Sequence, residues 1–197
     1  MKQVLIVEGV LETRHWLAAV MRFAYPNAKI LTATSVHTAL GELNGEIELA
    51  LIDLVLPDGS GLDVLRKLRT ISPAAIKVVT TVTGDDASIL ASLSAGADGY
   101  LFKEVEDAVL IRQLAQLSKG LPTISPSVAR RIIEHFRLTG SAASLEEQLI
   151  QIETDVLLLI AKGLCNAEVA STLDISESEA AGYIKMVYRK LDTCSRA

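Results

Sequence analysis

The chain has little that would staple it, bridge it through a metal or anchor it in a membrane. Of its 197 residues two are cysteines. Cys165 and Cys194 stand far apart, with no CxxC spacing and no histidine cluster beside them, which excludes a zinc site and a disulfide framework. Two reduced, structural thiols are expected. No apolar run approaches the roughly 20 residues of a membrane-spanning helix. The opening MKQVLIVEG carries one lysine and meets Glu8 too soon for a secretory signal. These absences predict a soluble, cytoplasmic protein with no membrane partner. Positive charge is also scarce: the net charge of -5 disfavours a generally basic nucleic-acid binder and leaves room only for a local basic face. Apolar residues, in contrast, make up 50% of the chain. That argues against disorder and suffices for one large core or two small ones.

Two periods alternate over the first 120 residues. The runs VLIV (4–7), KILTA (29–33), LALIDL (49–54), KVVTTV (77–82) and GYLF (99–102) are short and rich in branched residues, as buried parallel strands are. Between them apolar residues recur at helical spacing: Leu11, Trp16, Leu17, Val20 and Phe23 form one stripe, and Leu62, Val64, Leu65 and Leu68 another. Five strands alternating with five helices predict an α/β domain, a doubly wound parallel sheet covered on both faces. In such sheets the working residues gather at the carboxyl ends of the strands.

Glu8, Asp53, Thr81 and Lys103 all fall at or just past such ends. Each alone reads equally well as a helix cap or a solvated loop residue. Together they make coherent chemistry. An aspartate closing a buried strand is a nucleophile toward phosphorus once a cation offsets the repulsion between carboxylate and phosphoryl oxygens. Magnesium would take oxygen ligands, here Asp53, the acid Glu8 and the backbone at Val55. Thr81 can donate its hydroxyl to a phosphoryl oxygen, and Lys103 can meet another as a point charge.

The segments LIDLVLPDGSGLDVLRKLR, GADGYLFKE and ISPSVARRIIEHF resemble the bacterial two-component response regulators, in the subfamily of NarL- and LuxR-type proteins, and the likeness covers nearly the whole chain. It implies a flavodoxin-like receiver sheet followed by a small all-α domain. By that resemblance Asp53 is the phosphoacceptor, Thr81 and Tyr100 are the switch pair and Lys103 reads the phosphate. It further implies Mg2+ as cofactor, a sensor histidine kinase as phosphate donor and homodimerisation through the receiver. The family's usual contact surface is its fourth helix, fifth strand and fifth helix, here lined by Ala91, Leu93, Tyr100 and Ile111. In the turn LPDGSG, Pro57 fixes the backbone and Gly59 and Gly61 free it. One departure stands out. The family places two adjacent acids after the first strand, whereas Glu8 is followed by Gly9. Two outcomes follow: a weakened metal site, with Glu8 reaching inward and a water in the vacancy, or no metal and a single state that needs no phosphorylation.

The texture changes after Lys119. The stretch KGLPTISPS is a connector. SVARRIIEHF is a short helix with apolar Val128, Ile132, Ile133 and Phe136, able to pack on the receiver or on a second subunit, and LTGSAAS (138–144) is a hinge. The expected division is therefore a receiver over 1–120, a linker with a short helix over 121–144 and a helical domain over 145–197. In that last part Glu153–Lys162 forms one helix with Gly163 at its C-cap, Asn166 caps a second that ends at Leu173, and a third runs from Ser176 to Leu191. The two helices joined by DIS suit a helix-turn-helix, and equally a plain three-helix bundle.

ETDVLLLIAKGLCNAEVASTLDISESEAAGYIKMVYRKL is similar to the LuxR-type DNA-binding domain, which implies DNA as a partner. The likeness is weaker at the groove: Ser178, Glu179 and Ala181 stand where the family has a basic residue, a threonine and another basic residue. Glu179 is expected to face phosphate oxygens and repel them. Ser178, Tyr183, Lys185, Arg189 and Lys190 remain as DNA contacts, so binding should be weak and salt-sensitive. Two functions stay open: a DNA-binding transcription regulator governed by Asp53 or freed from it, and an interaction module that docks to a kinase or another regulator. An enzyme is not expected. His15, His37 and His135 read as solvated surface residues.

Overall fold

The first strand, β1 (Gln3–Val7), is buried at all of its positions, so both of its faces must be covered. Because side chains alternate across a strand, Val4 and Ile6 join one apolar cluster with Leu17, Val20 and Met21, while Leu5 and Val7 join another with Ile52, Val64 and Leu65. The computed structural model describes residues 2–82, 86–103, 106–118, 124, 126–139 and 149–194. After β1 come β2 (Lys29–Ala33), β3 (Leu49–Asp53), the two-residue strands β4 (Val55–Leu56) and β5 (Gly59–Ser60), then β6 (Ile76–Thr81) and β7 (Gly99–Phe102). Five of these form a parallel sheet in the order β2-β1-β3-β6-β7, and β4 and β5 form a small antiparallel hairpin.

Helices α1 (Leu11–Ala24) and α5 (Asp107–Ser118) cover one face of the sheet. On the other lie α2 (Val36–Glu42), α3 (Gly61–Ile71) and α4 (Asp86–Ser94). The expected doubly wound sheet is thus the observed one. Two local expectations fail. Strand β2 is an edge strand, with Lys29 and Thr32 exposed, because only one neighbour pairs with it. On the stripe of α1 expected to be buried, Leu11 is 50% exposed and Phe23 77% exposed. At about 100° per residue Phe23 lies about 160° around the helix from buried Met21.

The loop after β3 is tied to the start of α2. Asp58 accepts hydrogen bonds from the backbone N–H groups of Val36 (2.7 Å) and His37 (2.9 Å). The His37 bond is the main cause holding the Asp58 carboxyl below its ordinary range, with the Val36 bond adding to it against some desolvation.

Among the described residues four further helices follow: α6 (Pro126–Thr139), α7 (Gln151–Ala161), α8 (Asn166–Leu173) and α9 (Glu177–Cys194). Helix α6 packs mainly on α7, with a smaller contact on α4. Arg130 ties the pair by donating to the Ala161 carbonyl at 2.6 Å. The C-cap of α7 is Lys162, and Gly163, expected there, follows it at φ +103°, the left-handed conformation favoured just past a helix end. The residue capping α8 is Cys165 rather than Asn166; Glu168 accepts from the Cys165 N–H at 2.7 Å, and Asn166 is buried in the first turn. The hinge expected at 138–144 begins inside α6 and otherwise lies outside the described residues. His15 and His37 are exposed as expected. His135 is half-buried, edge-on to Phe136 at 5.8 Å, and burial pushes its pKa down. No helix among the described residues is long and apolar enough to cross a membrane.

Candidate functional site

Parallel strands end on one edge of their sheet, and here that edge gathers three charges. Asp53 is the last residue of β3, Glu8 follows β1 and Lys103 follows β7. Pairing reaches one residue past each flanking strand: the Glu8 N–H donates to the Ala33 carbonyl at 3.0 Å and the Lys103 N–H to the Thr81 carbonyl at 2.7 Å. This holds the two side chains over the end of β3. Lys103 Nζ lies 2.8 Å from Asp53 Oδ2 and 2.5 Å from Glu8 Oε2. The side chains of Lys103, Asp53 and Glu8 are 7%, 10% and 0% exposed. Such burial is tolerable for charges only when they are paired.

The second Glu8 oxygen accepts from the Val10 N–H at 3.0 Å. Arg14 secures the same loop by donating to the carbonyls of Glu8 (2.7 Å) and Gly9 (3.3 Å). Asp53 Oδ1 accepts a long bond, 3.5 Å, from the Val55 N–H, while the Val55 side chain is exposed. Thr81 is buried at the end of β6, one residue beyond Thr80, which is the register partner of Asp53. Tyr100 is buried too, edge-on to Phe102 at 5.6 Å. A Cβ at Gly9 would stand 3.1 Å from Pro57 Cδ. A side chain at that position would press on the Pro57 ring, which would have to give by a few tenths of an ångström.

Receiver domains generally bind Mg2+ at this position, and this chain offers two carboxylates there, Glu8 and Asp53, with no acid following Glu8. A hexacoordinate dication needs several converging oxygens. Here one Glu8 oxygen is taken by a backbone N–H, and the Lys103 ammonium sits between the two carboxylates. Among the described residues no group of three His, Cys, Asp or Glu side chains could hold a metal ion.

The second site residues lie on α9. Ala180, Ile184, Val187 and Leu191 recur at helical spacing and are buried with α7 and α8. Ala181 and Tyr188 are buried on an adjoining stripe, where α9 packs against α4. Ser178, Lys185 and Arg189 are exposed and Tyr183 is half-buried.

Residues 4–115 match the response regulator receiver domain, and residues 147–197 match the bacterial regulatory proteins of the luxR family. The chain belongs to the NarL/LuxR-type response regulators. The nitrate/nitrite response regulator NarL of Escherichia coli K12 is 35% identical over 171 residues, spanning 81% of this chain and 79% of NarL. LiaR of Bacillus subtilis, a transcriptional regulatory protein, is 29% identical over 199 residues, 100% of this chain and 93% of its own. Among solved structures, the Salmonella typhimurium RcsB response regulator superposes with a TM-score of 0.57 over 97% of this chain and 93% of its own, at 21% identity. The last likeness speaks to fold alone.

Four residues of this regulator make contacts that the sequence did not suggest. Lys190, expected at the DNA, donates to Glu153 Oε2 at 2.6 Å, and the Glu153 side chain is fully buried. Leu93 and Tyr100, expected on an open docking surface, are buried, and α4 is covered by α9 of the same chain. Glu179, expected to face phosphate oxygens, is exposed. It folds back on the start of α9, accepting at 2.8 Å from both the N–H and the hydroxyl of Ser176, while its own N–H donates to the Ser176 hydroxyl at 3.2 Å. This is a capping box, legible in the spacing S-x-x-E.

The Ser176 backbone N–H, then its hydroxyl, hold the Glu179 carboxyl below its ordinary value of 4.5. A depressed carboxylate contributes stability that is present above that value and lost as pH falls through the folded-state pKa. Glu179→Ala is therefore expected to lower Tm at pH 7, with the gap from the parent closing as pH falls well below 4.5. Thermal unfolding across that pH range checks it. A gap independent of pH would show that the carboxylate does not cap the helix.

Proposed function

We propose that this regulator is a DNA-binding transcription factor whose receiver holds one state without magnesium-dependent phosphorylation of Asp53. The observation that supports it is the Lys103 ammonium lying within 2.8 Å of both Asp53 and Glu8, with Pro57 packed beside Gly9. The pocket already carries the cation that an incoming phosphoryl group needs, and that cation is engaged by two carboxylates. Its relatives' family is one of transcription regulators rather than enzymes, taking phosphate from sensor kinases. This chain keeps their phosphoacceptor but lacks the second acid.

Intact mass spectrometry after incubation with acetyl phosphate and Mg2+ tests the reading. The expected spectrum shows no phosphoryl adduct at any magnesium concentration. A stoichiometric adduct absent from Asp53→Asn would overturn it.

DNA contact rests on Ser178, Tyr183, Lys185 and Arg189, with Lys190 engaged inside the protein. Few phosphates are neutralised, so binding is weak and falls steeply with salt. The α4 contact covers one side of α9, so the helix must leave α4 before it enters a major groove. A gel-shift at low and moderate salt with random genomic fragments separates this from a docking module, which would shift nothing at either.

A further inference from the structure

Glycine inside a helix lowers stability relative to alanine, because it gives up more backbone freedom on folding and adds no contact. Gly182 lies inside α9. Two ordinary reasons for a glycine fail there. It is not among the glycines with positive φ, so no left-handed turn requires it. A Cβ at that point would meet nothing within 4 Å, so no neighbour in the fold requires it either. What remains is close approach by something outside the chain.

The face on which Gly182 lies is the one that carries the DNA contacts. At intervals of four, three and four residues, Ser178, Gly182, Lys185 and Arg189 fall on one side of α9. Ser178, Lys185 and Arg189 are exposed there, opposite the buried stripe of Ala180, Ile184, Val187 and Leu191. One turn beyond Gly182, Met186 is 41% exposed. The row is thus a notch floored by backbone, with a hydroxyl before it and a thioether after it. In a helix that floor has its N–H and C=O groups bonded internally, so the notch offers no hydrogen bond to a base edge. It suits an apolar protrusion. The floor of the major groove presents one, the C5-methyl of thymine; the other edges are flat donors and acceptors.

We propose, resting on the DNA-binding reading above, that Gly182 is a specificity-determining position: α9 seats its backbone there on a thymine C5-methyl in the major groove, with Met186 beside it. Without a Cβ the helix comes closer to the base by roughly 1.5 Å, one carbon–carbon bond. The stability lost in the free protein is the cost of that approach.

The test sets stability against binding in the full chain. Gly182→Ala is expected to raise Tm by about 2–4 °C, yet to weaken binding about tenfold, as a methyl forced into a filled space does. The probe for fluorescence polarisation is a duplex enriched by the parent from a random-sequence pool at low salt, compared with the same duplex carrying uracil in place of thymine. Loss of the thymine methyl should weaken the parent about fourfold, the worth of one buried methyl. On the uracil duplex Gly182→Ala should bind within about twofold of the parent, because the alanine methyl takes the space left by the thymine methyl. Gly41→Ala, in α2 of the receiver and likewise meeting nothing within 4 Å, should bind both duplexes as the parent does. Parental affinity of Gly182→Ala for the thymine duplex, an equal loss on both duplexes, or a pool without a thymine-containing consensus overturns the proposal and leaves the DNA-binding reading standing. A parent that binds no duplex even at low salt overturns both.

Discussion

Lys103→Met is expected to lower the stability of the regulator by about 3–5 kcal/mol, the cost of breaking a buried ion pair by removing one partner. The substitution keeps the length and packing of the side chain. What it removes is the ammonium between Asp53 Oδ2 and Glu8 Oε2, leaving two carboxylates facing each other with 10% and 0% exposure. Urea unfolding measures the loss as a lower midpoint at unchanged slope. Adding Glu8→Gln to Lys103→Met should recover part of it, because one buried charge is easier to accommodate than two. Residues in one network couple, so the double-mutant cycle should show a clear interaction energy. If Lys103→Met unfolds within about 1 kcal/mol of the parent, the ammonium does not bridge the two acids, and the phosphorylation-independent reading loses its support.

Gly61→Ala should be at least as damaging, on the order of 4 kcal/mol or more. The Gly61 N–H donates to the Leu54 carbonyl at 3.0 Å, closing the hairpin, and Gly61 is the first residue of α3. A Cβ at that point would lie 2.0 Å from the Asp53 backbone oxygen and 3.0 Å from Ile52 Cγ2. The first of these is backbone, which no rotamer change can move aside. Either α3 backs away or the end of β3 shifts, and with it the Asp53 carboxylate. Denaturant unfolding, with near-ultraviolet circular dichroism as the probe of packing, should show both lost stability and altered tertiary signal. A variant as stable as the parent would mean that α3 does not start against β3.

That glycine illustrates how far the pattern of residues reaches. The sequence marks Gly61 as a turn residue valued for backbone freedom, while the structure assigns it a different reason, close approach of two backbones. Pro57 similarly reads as a stiffener of the turn. Its further role, packing beside Gly9, depends on a contact across 48 positions of the chain. The capping box at Ser176 and Glu179 was legible from spacing alone. Lys190 looked like one more basic residue on a basic stretch, and nothing local pointed to Glu153, which lies 37 residues away.

The alternation of strand and helix, the parallel sheet and the helical C-terminal part were determined by the chain itself, because hydrophobic periodicity is a local property and chirality leaves few ways to wind it. The convergence of Glu8, Asp53 and Lys103 follows from the same source, since parallel strands share one carboxyl edge. Packing decided the rest: which carboxylates the Lys103 ammonium meets, what stands beside Gly9, and that α9 lies on α4. These depend on distances of a few ångströms between residues remote in the chain, and local pattern carries no information about them.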